Sequence, residues 1–145
     1  MISPQTLDDA DRRAAAAWAA DCAERVLPLF EAEAPDDPRA REAIGRARAY
    51  ARGELTAAVA HVGAHALGAA AYAARAASLA VPGDPHVLDD EVNWQLERMS
   101  PDVRAALGRI PRLGEDRSGP LGPGLLASGV LATVIRTLQE AVGRS

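Results

Sequence analysis

His61 and His65 stand four residues apart in the run His61-Val62-Gly63-Ala64-His65. On a helix this spacing puts both imidazoles on one face, about one turn apart, the arrangement used by helical metal sites and by paired proton-transfer groups. No glutamate follows His61, so the zincin signature is incomplete. The same spacing also suits two half-buried histidines packed among alanines. The histidine stripe continues through Glu54, Gly68, Tyr72 and Arg75, whereas Leu55, Val59, Val62, Ala66 and Ala73 fall roughly 80–100° away and read as the core-facing arc.

A second group of chemistry-bearing residues lies earlier in the chain. Trp18 and Cys22 share an apolar stripe with Leu7, Ala14, Ala15 and Leu29, flanked by Asp21 and Arg25, an acid and a base four apart. Cys22 as a nucleophile needs a neighbouring base and a lowered pKa, and burial among apolar neighbours works the other way. If the two helices turn these faces together, Asp21 or Glu24 joins His61 and His65 in a mixed carboxylate and histidine site. Such a cleft would be lined by Trp18, Cys22, Tyr72, Arg75 and Trp94. One histidine would then act as general acid or base with Asp21 orienting it, and the loop at 109–124 would serve as a lid. A metal, zinc or iron by ligand type, would rest on His61 and His65, but only these two strong ligands are visible. No cofactor is therefore expected, with a metal left open. Trp94, within Glu91-Val92-Asn93-Trp94-Gln95, reads as an amphipathic anchor. Phosphate-binding loops, the nucleophile elbow and glycosidase-type carboxylate pairs are all absent from the sequence.

Helices must position these groups. Thr6 followed by Leu7, Asp8 and Asp9 is a start signal with acids on the positive end of the dipole, for a helix running to about Glu33 that Pro28 should kink or divide. A second helix is expected over about 38–52, stopped by Gly53, and a third over about 54–80. The turn Val81-Pro82-Gly83-Asp84-Pro85 introduces a fourth, ending near Met99, and Ser100-Pro101 a short fifth. The stretch 109–124, with Pro111, Pro120 and Pro123 among glycines, is too rich in breakers for a regular element. Over about 125–142 the wheel places Leu126, Val130, Leu131, Val134, Ile135, Leu138 and Val142 on one half, opposite Ser128, Thr133, Arg136, Thr137, Gln139 and Glu140.

Composition sets the class. Of 145 residues 33 are alanine and none is lysine, so all 16 basic residues are arginine and helix propensity is high throughout. The expectation is one all-α domain over 1–145, a helical bundle of five to six helices with the last one central. A net charge of −4 without a clustered basic face excludes nucleic acid as a partner. The stretch Leu55–Val81, interrupted by His61, His65 and Arg75, is a poor membrane span. The acidic first ten residues and the single cysteine point to the cytoplasm. Alanine gains little on burial while each ordered residue costs roughly 1–2 kcal/mol of backbone entropy, so a homodimer is expected to reinforce so thin a core.

The segments Trp18–Glu31, Pro35–Arg39, Ala47–Glu54 and the histidine-containing Ala60–Tyr72 resemble the bacterial immunity-protein family of the type-five-like kind. The resemblance covers residues 18–78 best, and this chain is shorter between its blocks than the family. It implies a small, all-helical cytoplasmic protein that binds and neutralises a protein toxin. The alternative is a small helical enzyme or small-molecule-binding protein using the His61, His65, Asp21, Trp18 and Tyr72 cleft.

Overall fold

A computed structural model describes residues 7–55, 62–116, 120–122 and 128–143. Within them lie six helices: α1 Asp9–Glu33, α2 Arg39–Ala51, α3 Val62–Ala80, α4 Val87–Glu97, α5 Pro101–Gly108 and α6 Gly129–Gly143. The fold is an all-α bundle, as alanine-rich composition demands.

Local chemistry explains the ends. Asp8 rather than Thr6 caps α1: its Oδ1 accepts the Asp11 N–H at 2.8 Å, with Asp9 and Asp11 in the positive first turn. Thr6 itself lies outside the described residues. Pro28 does not divide α1. It sits on an exposed face, where water can satisfy the Glu24 carbonyl that has lost its amide partner. At the end of α2, Gly53 adopts φ +84°. Its N–H donates to the Tyr50 carbonyl at 3.0 Å and the Glu54 N–H reaches back to Ala49 at 2.9 Å, a complete Schellman stop. That stop is why α3 does not begin at Glu54 as the periodicity implies: Glu54 and Leu55 are not helical, and Glu54 is held by Arg52 instead. At α5, Ser100 caps and Pro101 opens the first turn.

The helix at the centre is α3, not α6. It packs against α1, α4, α5 and α6, whereas α2 rests mainly on α1. Ala64, Leu67, Ala70, Ala71 and Ala74 are fully buried, because small side chains admit neighbours from several directions at once. Of the expected core arc, Ala66 and Ala73 are buried and Val62 packs against the core, whereas Leu55, outside the helix, is exposed. Val59 lies outside the described residues. Gly63 marks the closest approach, for a Cβ there would lie 2.6 Å from both Ile110 Cδ1 and Leu7 Cδ1. Helix α6 keeps a polar face and buries Leu131, Val134, Ile135, Leu138 and Val142, while Val130 in its first turn is exposed. Gln139, expected on the polar side, is buried. Its Oε1 accepts the Leu113 N–H at 2.9 Å and its Nε2 donates to the Pro111 carbonyl at 3.1 Å, which pins the irregular stretch after α5. Leu113 and Leu121 of that stretch are themselves core residues.

Candidate functional site

Trp18 and Cys22 sit inside the bundle, 1% and 0% exposed. The Trp18 indole donates from Nε1 to the Gln95 carbonyl at 2.9 Å, and the Gln95 amide nitrogen donates to the Ala70 carbonyl at 2.9 Å, tying α1, α4 and α3 together. Burial drives the Cys22 thiol pKa far up, and the Asp21 and Glu91 charges add to the rise. A thiol so placed stays protonated and is a packing group.

Of the remaining predicted residues, His65 and Tyr72 lie on one surface and Asp21 and Trp94 on another. The first is an apolar groove whose floor is α1 and whose walls are α2 and α3. One compartment, of about 620 Å³, is lined by Ala16 and Ala19 of α1, Ala43, Arg46, Ala47 and Tyr50 of α2, Val62, His65, Ala66 and Ala69 of α3, and Leu55. The next, of about 580 Å³, shares Ala43 and Ala69 and continues past Val26, Phe30, Ile44, Tyr72 and Ala73 to Glu33. His65 and Tyr72, about two turns apart on α3, are both exposed along its wall. The groove exists because α2 and α3 each lie on α1 while alanines on all three helices leave the space between them unfilled.

The second surface is polar. Asp21, Glu24, Arg25, Arg48, Trp94 and Arg98 line an open depression of about 540 Å³. Arg48 donates to Asp21 Oδ1 at 3.1 Å and also pairs with Glu24. The guanidinium of Arg25 lies 4.4 Å and that of Arg98 5.4 Å from the centroid of the Trp94 ring. Here Trp94 is the half-buried anchor that its neighbours led us to expect.

The structure does not bring Asp21 to His65. On the wheel of α1 Asp21 stands roughly 160° from Ala19 and Ala23, which face the groove, and its carboxylate is engaged by Arg48. His61 lies outside the described residues. Arg75 is exposed on α3 and lines neither surface. The described part of the 109–124 stretch lines neither surface as well. Among the described residues no group of three or more histidine, cysteine or acidic side chains is placed to hold a metal, and no helix is long and apolar enough to cross a membrane.

The wall supplied by α2 is missing from the sequence-based expectations. Ala40, Ala43, Ile44, Ala47 and Tyr50 form an apolar stripe at helical spacing on the side turned to the groove. That stripe was the available signal. Nothing in the sequence marks the pairing of Arg25 with Glu91, 66 positions away.

Compared with known families, the chain matches the model described as Imm-5 like putative immunity protein over residues 5–58 and again over 56–102. No curated protein and no solved structure matches it.

Proposed function

The chain belongs to the Imm-5 like putative immunity protein family, and from that premise we propose that it acts in the bacterial cytoplasm as an immunity-type protein that binds and neutralises a protein toxin. The observation that carries this reading is the open groove between α2 and α3. Tyr72, at 49% exposure, and Phe30 and Leu29, at 39%, cluster at its edge. A contiguous apolar surface rimmed by polar groups is the ordinary signature of a protein-interaction site. The aspartate that an acid–base cleft would use is engaged elsewhere by Arg48.

Homodimerisation belongs to the same reading. The core depends heavily on alanine, and Leu79 and Val81 stand exposed at the end of α3, so a second copy would add the burial that alanine does not supply. Light scattering behind size exclusion at micromolar concentration should return twice the chain mass, and a single species of monomer mass would remove the dimer from the account.

The toxin reading is tested by co-expressing the chain with a panel of bacterial toxin domains, including any that its own gene neighbourhood encodes. Restored growth and a co-purifying complex are expected; unrestored growth in the presence of folded, abundant chain overturns the reading. A His61→Gln/His65→Gln double variant separates it from the acid–base alternative. In an immunity protein partner affinity should stay within about tenfold, or 1.4 kcal/mol, whereas complete loss of protection by a folded double variant would return the histidines to the centre of the function.

A further inference from the structure

The two ends of the groove differ in charge. Arg46 lines the compartment that also holds His65, and Glu33 lines the other. The other α2 arginines are all paired, Arg39 with Asp37, Arg41 with Glu31 and Arg48 with Asp21 and Glu24, and Arg52 just past the helix pairs with Glu54. Arg46 and Glu33 form no ion pair among the described residues, and both are exposed. Between them the floor and walls are apolar. From Ala40 to Tyr50 the α2 wall spans about 15 Å at the helical rise, equal to about three turns of a second helix.

We infer that the groove receives an amphipathic α-helix of the toxin partner, with apolar side chains spaced i, i+4 and i+7 along its floor, a carboxylate set against Arg46 and a basic group against Glu33. An alanine-walled channel fits this occupant because small side chains allow a helix backbone to approach closely and leave room for the larger side chains of the guest. The unpaired charges give the channel a polarity, so the guest is fixed in direction as well as in position. The identity of the partner rests on the toxin-binding reading, whereas the groove's preference for such a helix can be measured without any toxin.

The probe is a stapled 15-residue helix carrying leucines at the stated spacing, a glutamate at one end and a lysine at the other, titrated by fluorescence anisotropy against the full chain. Saturable binding is expected, lost in the Ala43→Trp variant, whose exposed indole fills the point where the two compartments meet while the circular dichroism spectrum is retained. Arg46→Glu should weaken the probe about tenfold, and the double variant Arg46→Glu/Glu33→Arg should recover it, because the guest can then lie in the opposite direction. No saturable binding to the folded wild-type chain, or undiminished binding to folded Ala43→Trp, overturns the inference. Equal affinity for Arg46→Glu and the double variant overturns the assigned polarity. Growth protection is scored separately: if Ala43→Trp still protects, the helix-in-groove inference falls and the immunity reading stands, and if wild type binds the probe but never protects, the immunity reading falls alone.

Discussion

Arg25 Nε lies 3.0 and 3.1 Å from the two carboxylate oxygens of Glu91, a side chain that is only 8% exposed. The same guanidinium covers the Trp94 ring, so one arginine closes the α1–α4 seam by two interactions. Because Arg25 is itself 44% exposed, solvent screens the attraction, and the larger effect is what its absence does to Glu91. Arg25→Met should leave that carboxylate buried without a partner and lower stability by about 1–2 kcal/mol. Adding Glu91→Gln should recover about half of the loss. Urea unfolding of the four members of this cycle is the measurement, and full additivity of the two single changes would show that the pair is not coupled.

Two helical glycines should respond to alanine in opposite directions. Gly45, inside α2, has nothing within 4 Å of the position a Cβ would take, so Gly45→Ala gains helix propensity alone, about 0.5–1 kcal/mol. Gly63→Ala gains the same propensity but drives a methyl to 2.6 Å from both Ile110 and Leu7, which are buried and cannot both retreat freely. Overpacking of this kind costs about 1–3 kcal/mol, and a net loss of about 1 kcal/mol is expected. Thermal unfolding of the two variants decides it, and Ile110→Val, which removes one of the colliding atoms, should restore part of the Gly63→Ala loss.

Three helix ends were readable in the sequence because they depend on neighbours along the chain: the acids Asp8 and Asp9 at the start of α1, the Gly53 stop and the Ser100-Pro101 start all act within one turn. Helix rotation was not. An alanine reads alike at a buried centre and on an exposed wall, so nothing distinguished fully buried Ala70 of α3 from Ala43 at the edge of the groove. The strong amphipathicity of α6 suggested the central helix, but a polar face is what places a helix at the edge of a bundle and the broad alanine surface of α3 is what places one in the middle. The candidate site divided for the same reason. Asp21 and the α1 residues of the groove are close in sequence, yet they point to different sides of one helix.

Acid titration should single out Asp37. Its carboxylate accepts the side chain of Arg39 and, at 3.0 Å, the Arg39 backbone N–H, and these bonds hold its pKa down at about 2 against an ordinary 3.8. A depressed carboxyl pKa adds stability that is present above the unfolded value and is lost as pH falls through the folded one, here between about pH 4 and pH 2. Carboxyl-detected NMR should find the Asp37 midpoint near 2, and Arg39→Gln should move it upward. Raising the salt concentration should move it in the same direction, since the Arg39 side chain is largely exposed. A midpoint at the ordinary value in the wild-type chain would mean that the pair does not persist in solution.

Gln139 offers the most direct test of how the irregular stretch after α5 is held. Its amide satisfies two backbone groups at once, the Leu113 N–H and the Pro111 carbonyl, and the first of these bonds is buried. Gln139→Leu matches the size of the side chain but supplies neither partner, so both groups are left to find water or to stay unpaired. The cost should be about 1–3 kcal/mol, concentrated locally because Leu113 and Leu121 must leave the core for water to enter. Hydrogen exchange should show the Leu113 amide losing protection by about tenfold or more, with the amides at the centre of α3 changing only as far as global stability falls. Gln139→Glu discriminates further: its carboxylate can still accept from Leu113 but cannot donate to Pro111 once ionised, so protection at Leu113 should survive in part at neutral pH. Equal loss in both variants would assign the pinning to packing of the side chain rather than to its hydrogen bonds.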